Sequence, residues 1–269
     1  MRSLLLLGSV IEARDPYTGG HVWRVAQLAR LLGMRLDLDE ESQLHLALGA
    51  LMHDFGKISI PDEVLRKHGP LTVEEFDLIK THPEMGARLL QDHPLGHLVL
   101  DVVMHHHGWL DGRGYPARTA RTLSLPVQIV GLVDTFDALT SARPYHEAKS
   151  IRETLSIIDQ ERGSHFDSDL VETMWQLAAN GDLDPVVLHS FPDRPLVHCP
   201  GCGPVIVLGP DDAPGDVVPC PACLGLFELH LNVNMLEAEF TGEYVPPSRL
   251  VPTPDTEAID YHLGALALV

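Results

Sequence analysis

The sequence is poor in cysteine and in basic residues, and each shortage argues against a class of protein. Its only four cysteines do not suit a disulfide framework and favour a reducing compartment. Lysine and arginine number 19 against 38 acidic residues, and the formal net charge of -19 argues against broad binding to nucleic acid or to anionic lipid. A small phosphate ester stays open as a ligand, because bound divalent cations reverse the potential locally.

Long apolar runs are also missing, and none approaches the roughly 18 residues that span a bilayer. The N-terminus begins like a signal peptide, with Arg2 before a short run of leucines. Glu12, Arg14 and Asp15 interrupt this pattern before a cleavage site, so residues 3–13 are predicted to form a core helix instead. We therefore expect a cytoplasmic chain without a membrane segment.

Apolar residues recur at helical spacing through the first two thirds of the chain. Helix-start signals precede several runs, including capping-box patterns at Thr72-Val73-Glu74-Glu75 and from Ser150 to Glu153. Gly33 is a predicted helix stop. The predicted helices are 3–13, 22–32, 39–54, 76–80, 84–91, 95–106, 126–139, 150–161 and 169–179. The main domain, residues 1–190, is therefore expected to be all-α.

Polar residues interrupt these apolar helices, most clearly at His53-Asp54-Phe55-Gly56-Lys57. Adjacent His and Asp offer an imidazole nitrogen and a carboxylate oxygen to the same metal neighbourhood, and Lys57 could bind an anion beside it. Taken alone, the pair fits a surface or helix-capping position equally well. Further candidate ligands recur through the helical region, and they are His21, His82, His106, His107 and Asp134. Helices packed side by side can bring such residues to one polynuclear metal site.

Two carboxylates, Asp134 and Asp137, share one face of the predicted helix 126–139. In an otherwise apolar helix they favour a polar site over a solvated surface. Arg143 follows closely and places a guanidinium near them, with a structural ion pair as the alternative role. The segment 108–116 contains glycines that permit close approach of the backbone to a ligand, although an ordinary turn between helices is the plain alternative.

The composition changes after about residue 180, where aspartate, proline and glycine become frequent. Two Cys-x-x-Cys pairs, Cys199 with Cys202 and Cys220 with Cys223, are separated by 17 residues. This pattern favours one structural zinc ion over a redox disulfide. Short strands are predicted at 205–208 and 226–232, which gives a zinc-ribbon-like module at 196–235 and a C-terminal tail at 236–269. A protein partner or a homodimer stays open for this module, whereas its acidic surroundings disfavour nucleic acid.

In their order and spacing, these residues resemble the HD-GYP family of bacterial cyclic di-GMP phosphodiesterases, a branch of the HD metal-dependent phosphohydrolases. The resemblance covers roughly residues 9–180 and implies an all-α HD-type helical bundle, to which this chain adds a small C-terminal β module. The matching segments are RDPYTGGH at 14–21, HDFGK at 53–57, GPLTVEEF at 69–76, KTHPEMG at 80–86, HH at 106–107, DGRGYP at 111–116, DTFDAL at 134–139 and RPY at 143–145.

The resemblance implies site residues and cofactors as well. Iron or manganese ions would be bound by His21, His53, Asp54, His82, His106, His107 and Asp134. Asp54 is the expected bridging carboxylate, and Lys57 the expected catalytic cation beside it. Substrate contacts are implied for Lys57, Asp111, Gly114, Tyr115, Pro116, Asp137 and Arg143.

Three positions depart from the family pattern. Members with a third metal carry a glutamate where this chain has Tyr17, so a binuclear site is predicted. A glutamate usually follows the histidine pair, where Gly108 stands, and a basic residue usually stands at the position of His146. The last two changes bear on substrate affinity or rate, and neither removes an implied ligand of the two-metal centre.

The implied activity is hydrolysis of cyclic di-GMP to linear pGpG through a metal-bridging hydroxide, with onward cleavage to GMP left open. One alternative is a catalytically weak or inactive receptor that binds a cyclic dinucleotide or a protein partner. Another is a phosphohydrolase for a different cyclic nucleotide.

Overall fold

The structure is a computed structural model that describes most of the chain. The described residues are 1–15, 19–67, 69–117, 122–141, 148–187, 189–192, 194–203, 205–209, 211–233, 235–246 and 256–267. Tyr17, Arg143 and His146, which were singled out above, lie outside them.

The fold is mostly helical with a small C-terminal β region, as predicted. The helices are α1 (Arg2–Arg14), α2 (His21–Arg35), α3 (Glu40–Met52), α4 (Asp62–Leu65), α5 (Val73–Ile79), α6 (His82–Leu90), α7 (Leu100–His105), α8 (Leu125–Thr140), α9 (Ile151–Gln160), α10 (Ser168–Asn180), α11 (Asp184–Val187) and α12 (Thr256–Ala267), with 3-10 turns at Phe55–Ser59 and Gly96–Leu98. The strands are β1 (His189–Phe191), β2 (Arg194–Pro195), β3 (Val197–His198), β4 (Val205–Ile206), β5 (Val217–Pro219), β6 (Gly225–Asn232) and β7 (Met235–Tyr244).

Side-chain caps begin the helices where the sequence predicted them. Both partners of the Thr72 capping box are present, since the Glu75 carboxylate accepts from the Thr72 N–H at 2.7 Å and the Thr72 hydroxyl accepts from the Glu75 N–H at 3.2 Å. The same reciprocal pair joins Ser150 and Glu153 at the start of α9. These local bonds satisfy backbone donors that a helix leaves unpaired, so the helix starts can be read from sequence.

Gly33 does not end α2, and that prediction was wrong. The helix continues to Arg35, and the turn follows at Asp37, which has a positive φ of 52°. A Cβ at position 33 would lie 3.1 Å from a methyl carbon of Leu46. The glycine therefore allows close packing of α2 against α3. The predicted helix 95–106 is also interrupted, because a 3-10 turn precedes α7.

The central helix of the core is α8, which packs against α2, α3, α7 and α9. Its apolar side chains are buried on several sides, including Ile129, Val130, Leu132, Val133 and Phe136. A helix that is apolar on most of its surface belongs inside a bundle. Any polar side chain on α8 must consequently find a partner within the protein.

The C-terminal β region contains a β3–β4 hairpin and an antiparallel sheet in the order β5-β6-β7. β7 pairs with β6 from Met235 opposite Asn232 to Tyr244 opposite Gly225. The predicted boundary at 235/236 is wrong, because it separates this strand from the sheet to which it belongs. The buried side chains of the region form a cluster separate from the helical core.

The last described helix, α12, returns to the helical domain and packs against α1. Ile259 is buried there, and Arg2 forms an ion pair with Asp260. The hairpin β1–β2 lies against α2, where the Phe191 ring is 6.1 Å from the Trp23 ring and 5.2 Å from Tyr261 of α12. Among the described helices, none has the length and apolarity needed to cross a membrane.

Candidate metal centre

The predicted metal ligands converge, and helix ends supply most of them. His21 and His82 begin α2 and α6, whereas His53 and His106 directly follow α3 and α7. Asp134 comes from the middle of α8. Side chains at helix ends can turn into a common space without breaking the apolar faces by which the helices pack, which explains how a buried polar cluster fits inside this core.

One group of donors contains His21, His53, Asp54 and Asp134. The Nε2 atoms of His21 and His53 are 3.2 Å apart. The Asp54 Oδ2 atom is 3.6 Å from the His21 Nε2 and 3.5 Å from the His53 Nε2. Asp134 Oδ1 lies 3.4 Å from the His21 Nε2. Two imidazoles and two carboxylates thus face one small space.

A second group contains His82, His106 and His107, each of which offers a ligand atom within 4.8 Å of the others. The Nε2 atoms of His82 and His106 are 3.2 Å apart. The other oxygen of Asp54, Oδ1, lies 3.4 Å from the His82 Nε2. The two oxygens of one carboxylate therefore face two different histidine groups, which is the arrangement of a bridging ligand between two ions.

Hydrogen bonds of the Nδ1 atoms, on the side of the ring away from the centre, fix the orientation of the histidine rings. In three of them Nδ1 faces a backbone carbonyl on the neighbouring turn, so Nδ1 carries the proton and Nε2 keeps its lone pair. These pairs are His53 with Ala50 at 2.7 Å, His82 with Ile79 at 2.8 Å and His106 with Val103 at 3.1 Å. The lone pairs consequently point into the space that the two groups enclose.

The protonation of this donor set fits divalent cations. Burial holds the pKa of His106 well below its ordinary value and lowers the pKa of His107 to about 3. Burial alone would raise the pKa of Asp54, but the charges of Lys57 and His53 hold it well below the usual range. Neutral imidazoles facing each other beside ionised carboxylates are the states that metal ligation requires. The Nε2 lone pairs of His82 and His106 face each other at 3.2 Å, which favours a cation between them.

His21 is held differently, because its Nδ1 is 2.8 Å from the Oδ2 atom of Asp137. Arg24 donates to both oxygens of that carboxylate, from Nε to Oδ1 at 2.5 Å and from Nη2 to Oδ2 at 3.1 Å. Burial lowers the pKa of His21, but the bonds to Asp137 and Asp54 outweigh it and raise this pKa to about 9. A cation at Nε2 would take the place of that proton.

This geometry corrects one predicted role. Asp137 is 1% exposed, and both of its oxygens are engaged by Arg24 and His21, so it does not fit the expected substrate contact. Sequence reasoning missed Arg24. Arg24 lies three residues after His21 on the same helix, and it supplies the guanidinium that was expected from Arg143. Arg143 itself lies outside the described residues.

Lys57 stands at the edge of the centre, as its position after His53-Asp54 suggested. Its Nζ is 2.7 Å from Asp54 Oδ2 and 3.7 Å from Asp15 Oδ2, and the side chain is 16% exposed. Arg14 holds the turn that carries Lys57 by donating to the carbonyl oxygens of Ile58 at 2.8 Å and Ile60 at 2.6 Å. A fixed ammonium group therefore adjoins the bridging carboxylate.

The glycine-bearing loop covers His107. The Tyr115 ring stacks on the His107 ring with centroids 4.5 Å apart, and the Tyr115 N–H donates to the His107 carbonyl at 3.1 Å. A Cβ at Gly114 would lie 2.2 Å from that same carbonyl oxygen, so only glycine permits this approach. Pro116 follows, half-buried. The Asp111 carboxylate accepts hydrogen bonds from the backbone N–H and the Nε of Arg113. These bonds turn the carboxylate toward its own loop.

Gly108 also has a steric explanation. A Cβ there would lie 2.9 Å from the His105 carbonyl oxygen and 2.9 Å from a methyl carbon of Leu123. The glutamate usual in the HD-GYP pattern would need a shift of this turn.

Comparison with known proteins identifies the class. Residues 6–170 match the family model described as HD domain, which is more than half of the chain, and the chain belongs to that family. The resemblance drawn from the motifs and the HD-type helical fold are thereby confirmed. The cysteine module lies outside the match.

Two curated relatives and one solved structure are similar to this chain. RpfG of Xanthomonas campestris pv. campestris, a cyclic di-GMP phosphodiesterase response regulator, is 37% identical over 175 residues, which cover 64% of this chain and 46% of the relative. The 3'3'-cGAMP-specific phosphodiesterase 1 of Vibrio cholerae is 35% identical over 162 residues, which cover 60% and 38% of the two chains. The chain thus spans less than half of the length of either relative.

Among solved structures, the cyclic GMP-AMP specific phosphodiesterase V-cGAP3 of V. cholerae shares the fold. Its TM-score is 0.52 at 21% identity, with 68% of this chain and 50% of that chain covered.

Proposed function

We propose that this protein is a metal-dependent cyclic dinucleotide phosphodiesterase that acts on cyclic di-GMP. The observation that carries the proposal is the position of Asp54, whose two oxygens face two separate groups of histidines. Relatives that match the same region are phosphodiesterases for cyclic di-GMP and for 3'3'-cGAMP, which supports the substrate class.

Two ions, iron or manganese, would be held in this centre. His21, His53 and Asp134 would bind one and His82, His106 and His107 the other, with Asp54 between them. When bound, such a pair supplies Lewis acidity and an activated water for in-line attack on a phosphodiester.

The protein's own groups would prepare the substrate. Lys57 places a positive charge where a phosphate would enter and would offset the negative charge that develops during cleavage. The Tyr115 ring, fixed on His107, offers an apolar face beside the ions. The product would be linear pGpG, with GMP after a second cleavage.

The test is the variant Asp54→Ala assayed for hydrolysis of cyclic di-GMP with manganese and with ferrous iron. Loss of the bridging carboxylate should abolish turnover, measured by chromatography of substrate, pGpG and GMP. Asp77→Ala is the matched control, since this carboxylate pairs with Lys80 on the exposed side of α5 and should leave turnover unchanged. Wild-type turnover by a metal-replete Asp54→Ala protein would refute the proposal.

A receptor for cyclic dinucleotides is the second candidate, and Gly108 favours it. The family's glutamate is missing there, and the turn has no space for a side chain. Binding of cyclic di-GMP without turnover under both metals would favour the receptor. Assays with cyclic di-GMP and 3'3'-cGAMP in parallel would distinguish a change of substrate from a loss of activity.

A further inference from the structure

The four cysteines of the C-terminal β region meet between two hairpins. Cys199 and Cys202 lie in the turn between β3 and β4, whereas Cys220 and Cys223 lie in the turn between β5 and β6. Their sulfur atoms all lie within 4.8 Å of one another, and the residues are free cysteines. The position lies outside the segment 6–170 that matches the HD domain.

The distances between the sulfurs suit one tetrahedral ion. Cys199 Sγ is 3.7 Å from Cys223 Sγ, and Cys202 Sγ is 3.6 Å from Cys220 Sγ. A zinc–sulfur bond of about 2.3 Å places the corners of a tetrahedron about 3.8 Å apart. A disulfide needs a sulfur–sulfur distance of about 2.05 Å, and a redox Cys-x-x-Cys pair would join the two cysteines of one turn. Here the nearest sulfurs belong to different turns.

The two turns also share one backbone geometry. The Gly203 N–H donates to the Cys199 carbonyl at 2.9 Å, and the Leu224 N–H donates to the Cys220 carbonyl at 3.0 Å. Both donors have left-handed backbones, with φ of +82° for Gly203 and +65° for Leu224. A leucine adopts this conformation only at a cost in free energy. The turn at Leu224 nevertheless repeats the geometry of the turn at Gly203.

Backbone donors also point at the first sulfur of each turn. The N–H groups of Gly201 and Cys202 approach Cys199, and those of Ala222 and Cys223 approach Cys220. These contacts fix the position of the first sulfur in each turn. The two turns are therefore equivalent half-sites.

The β region needs such a link, because its own apolar core is small. Besides two cysteines, the buried cluster contains Val197, Ile206, Leu208, Val218, Phe227 and Leu229. Within the described residues, the β3–β4 hairpin is not hydrogen-bonded to the sheet β5-β6-β7. Small units of this kind usually require a metal or a disulfide to hold their parts together.

We propose that Cys199, Cys202, Cys220 and Cys223 bind one zinc ion through four thiolates, and that this closed site joins the two hairpins. The ion has a structural role, because four protein ligands leave no position for a substrate. The inference goes beyond the phosphodiesterase proposal and does not depend on it.

The test uses the chain of residues 1–269 and measures zinc directly. Elemental analysis should find one zinc per chain in addition to the metals of the histidine centre. Titration with p-hydroxymercuribenzoate in the presence of a zinc indicator should release that zinc as four thiols react. Replacement by cobalt should give the intense thiolate-to-metal absorption and visible bands of a tetrahedral four-sulfur site.

Matched variants separate this site from the histidine centre. Cys202→Ser should lose the zinc, whereas His82→Ala should keep it and lose metal from the other centre. If Cys202→Ser fails to fold, the titration of the wild-type protein still decides. Wild-type protein that contains two disulfides, four free thiols without zinc, or iron at this position would overturn the proposal, and so would full zinc content in a folded Cys202→Ser protein.

Discussion

Asp137 accepts a hydrogen bond from His21 on one oxygen while Arg24 donates to both, so a buried guanidinium holds the carboxylate that orients a candidate metal ligand. All the donors of Arg24 are engaged, because its remaining bonds reach the Gly19 carbonyl, the Ser141 hydroxyl and the His189 carbonyl. A planar fork of this kind cannot be replaced by an ammonium group. The residue thus acts on the centre through Asp137.

Arg24→Lys should therefore weaken manganese binding by about 10- to 100-fold, the usual effect of losing a partner behind a metal ligand. Calorimetric titration of metal-free protein would measure this affinity, and thermal unfolding would show that the fold persists. Arg30→Lys, an exposed position on the same helix, is the control. Unchanged manganese affinity in folded Arg24→Lys protein would contradict the positioning role.

At this scale the histidines and carboxylates that converge could be predicted, but their hydrogen-bond partners could not. His53 and Asp54 interrupt an apolar run, and such an interruption is visible in the sequence. Arg24 instead occupies an ordinary place in an amphipathic helix, and its partner Asp137 is 113 residues away. Only the packing of α2 against α8 reveals that the arginine is buried.

Some helix boundaries depend on nearby residues in the sequence, whereas others depend on contacts with another element. The starts of α5 and α9 follow from capping boxes within four residues of sequence, and these were predicted. Gly33 was misread because its role is to accommodate Leu46 of α3, which lies beyond its own helix. The start of α2 is also set from outside, since Gly20 has a positive φ of +73° and lies against Ser190 of β1.

Gly20→Ala should disturb the centre as well as the backbone. Its Cβ would lie 2.4 Å from the Ser190 Cα, so either β1 or the turn before His21 must move. Gly163→Ala is the matched control, because its φ of +78° is similar and its nearest neighbour is 3.9 Å away. The control should lose about 1 kcal/mol of unfolding free energy from backbone strain alone. The Gly20 variant should lose more than that, together with metal affinity, as measured by urea unfolding and manganese titration; equal losses would be inconsistent with this packing.

The loop that covers His107 has a pH-sensitive support. The Trp109 ring stacks on His165 at 4.2 Å, and burial lowers the pKa of His165 to about 4. An unfolded histidine titrates near 6.5, so between these values the unfolded chain binds more protons. The stability from neutral His165 is present above about pH 6.5 and is lost as pH falls toward 4.

His165→Gln should accordingly reduce the loss of stability between about pH 7.5 and about pH 5 by about 1 kcal/mol, a value that allows for partial solvent screening. Urea unfolding at the two pH values measures this difference. The variant also loses a ring contact at every pH, so the quantity to compare is the change in unfolding free energy with pH. His97→Gln, an exposed histidine, should keep the wild-type slope. An unchanged slope in His165→Gln would exclude this contribution.

At the scale of the whole molecule, the segment after the HD domain is part of the metal centre's support. The His189 carbonyl accepts from Arg24 at 3.3 Å, and Ser190 packs on Gly20, although both residues lie beyond the matched segment 6–170. These contacts leave no pattern in the sequence, because they reach backbone atoms of a short strand from the start of α2. Within the C-terminal tail, α12 also reaches the helical domain, where it packs on α1.

Two truncations that differ by this hairpin test its contribution. A chain of residues 1–195 keeps β1–β2 and should bind manganese nearly as tightly as the full chain, although loss of the α12 contacts should lower its melting temperature. A chain of residues 1–187 lacks the His189 carbonyl and the surface against Gly20, so it should bind manganese at least about 10-fold more weakly, the scale of losing support behind a metal ligand. Far-ultraviolet circular dichroism would establish that both chains are folded, and size-exclusion chromatography would detect any change in assembly. Equal manganese affinity in two folded truncations would contradict this role. The hairpin would then only cover α2, and the bond from Arg24 to His189 would not affect the position of His21.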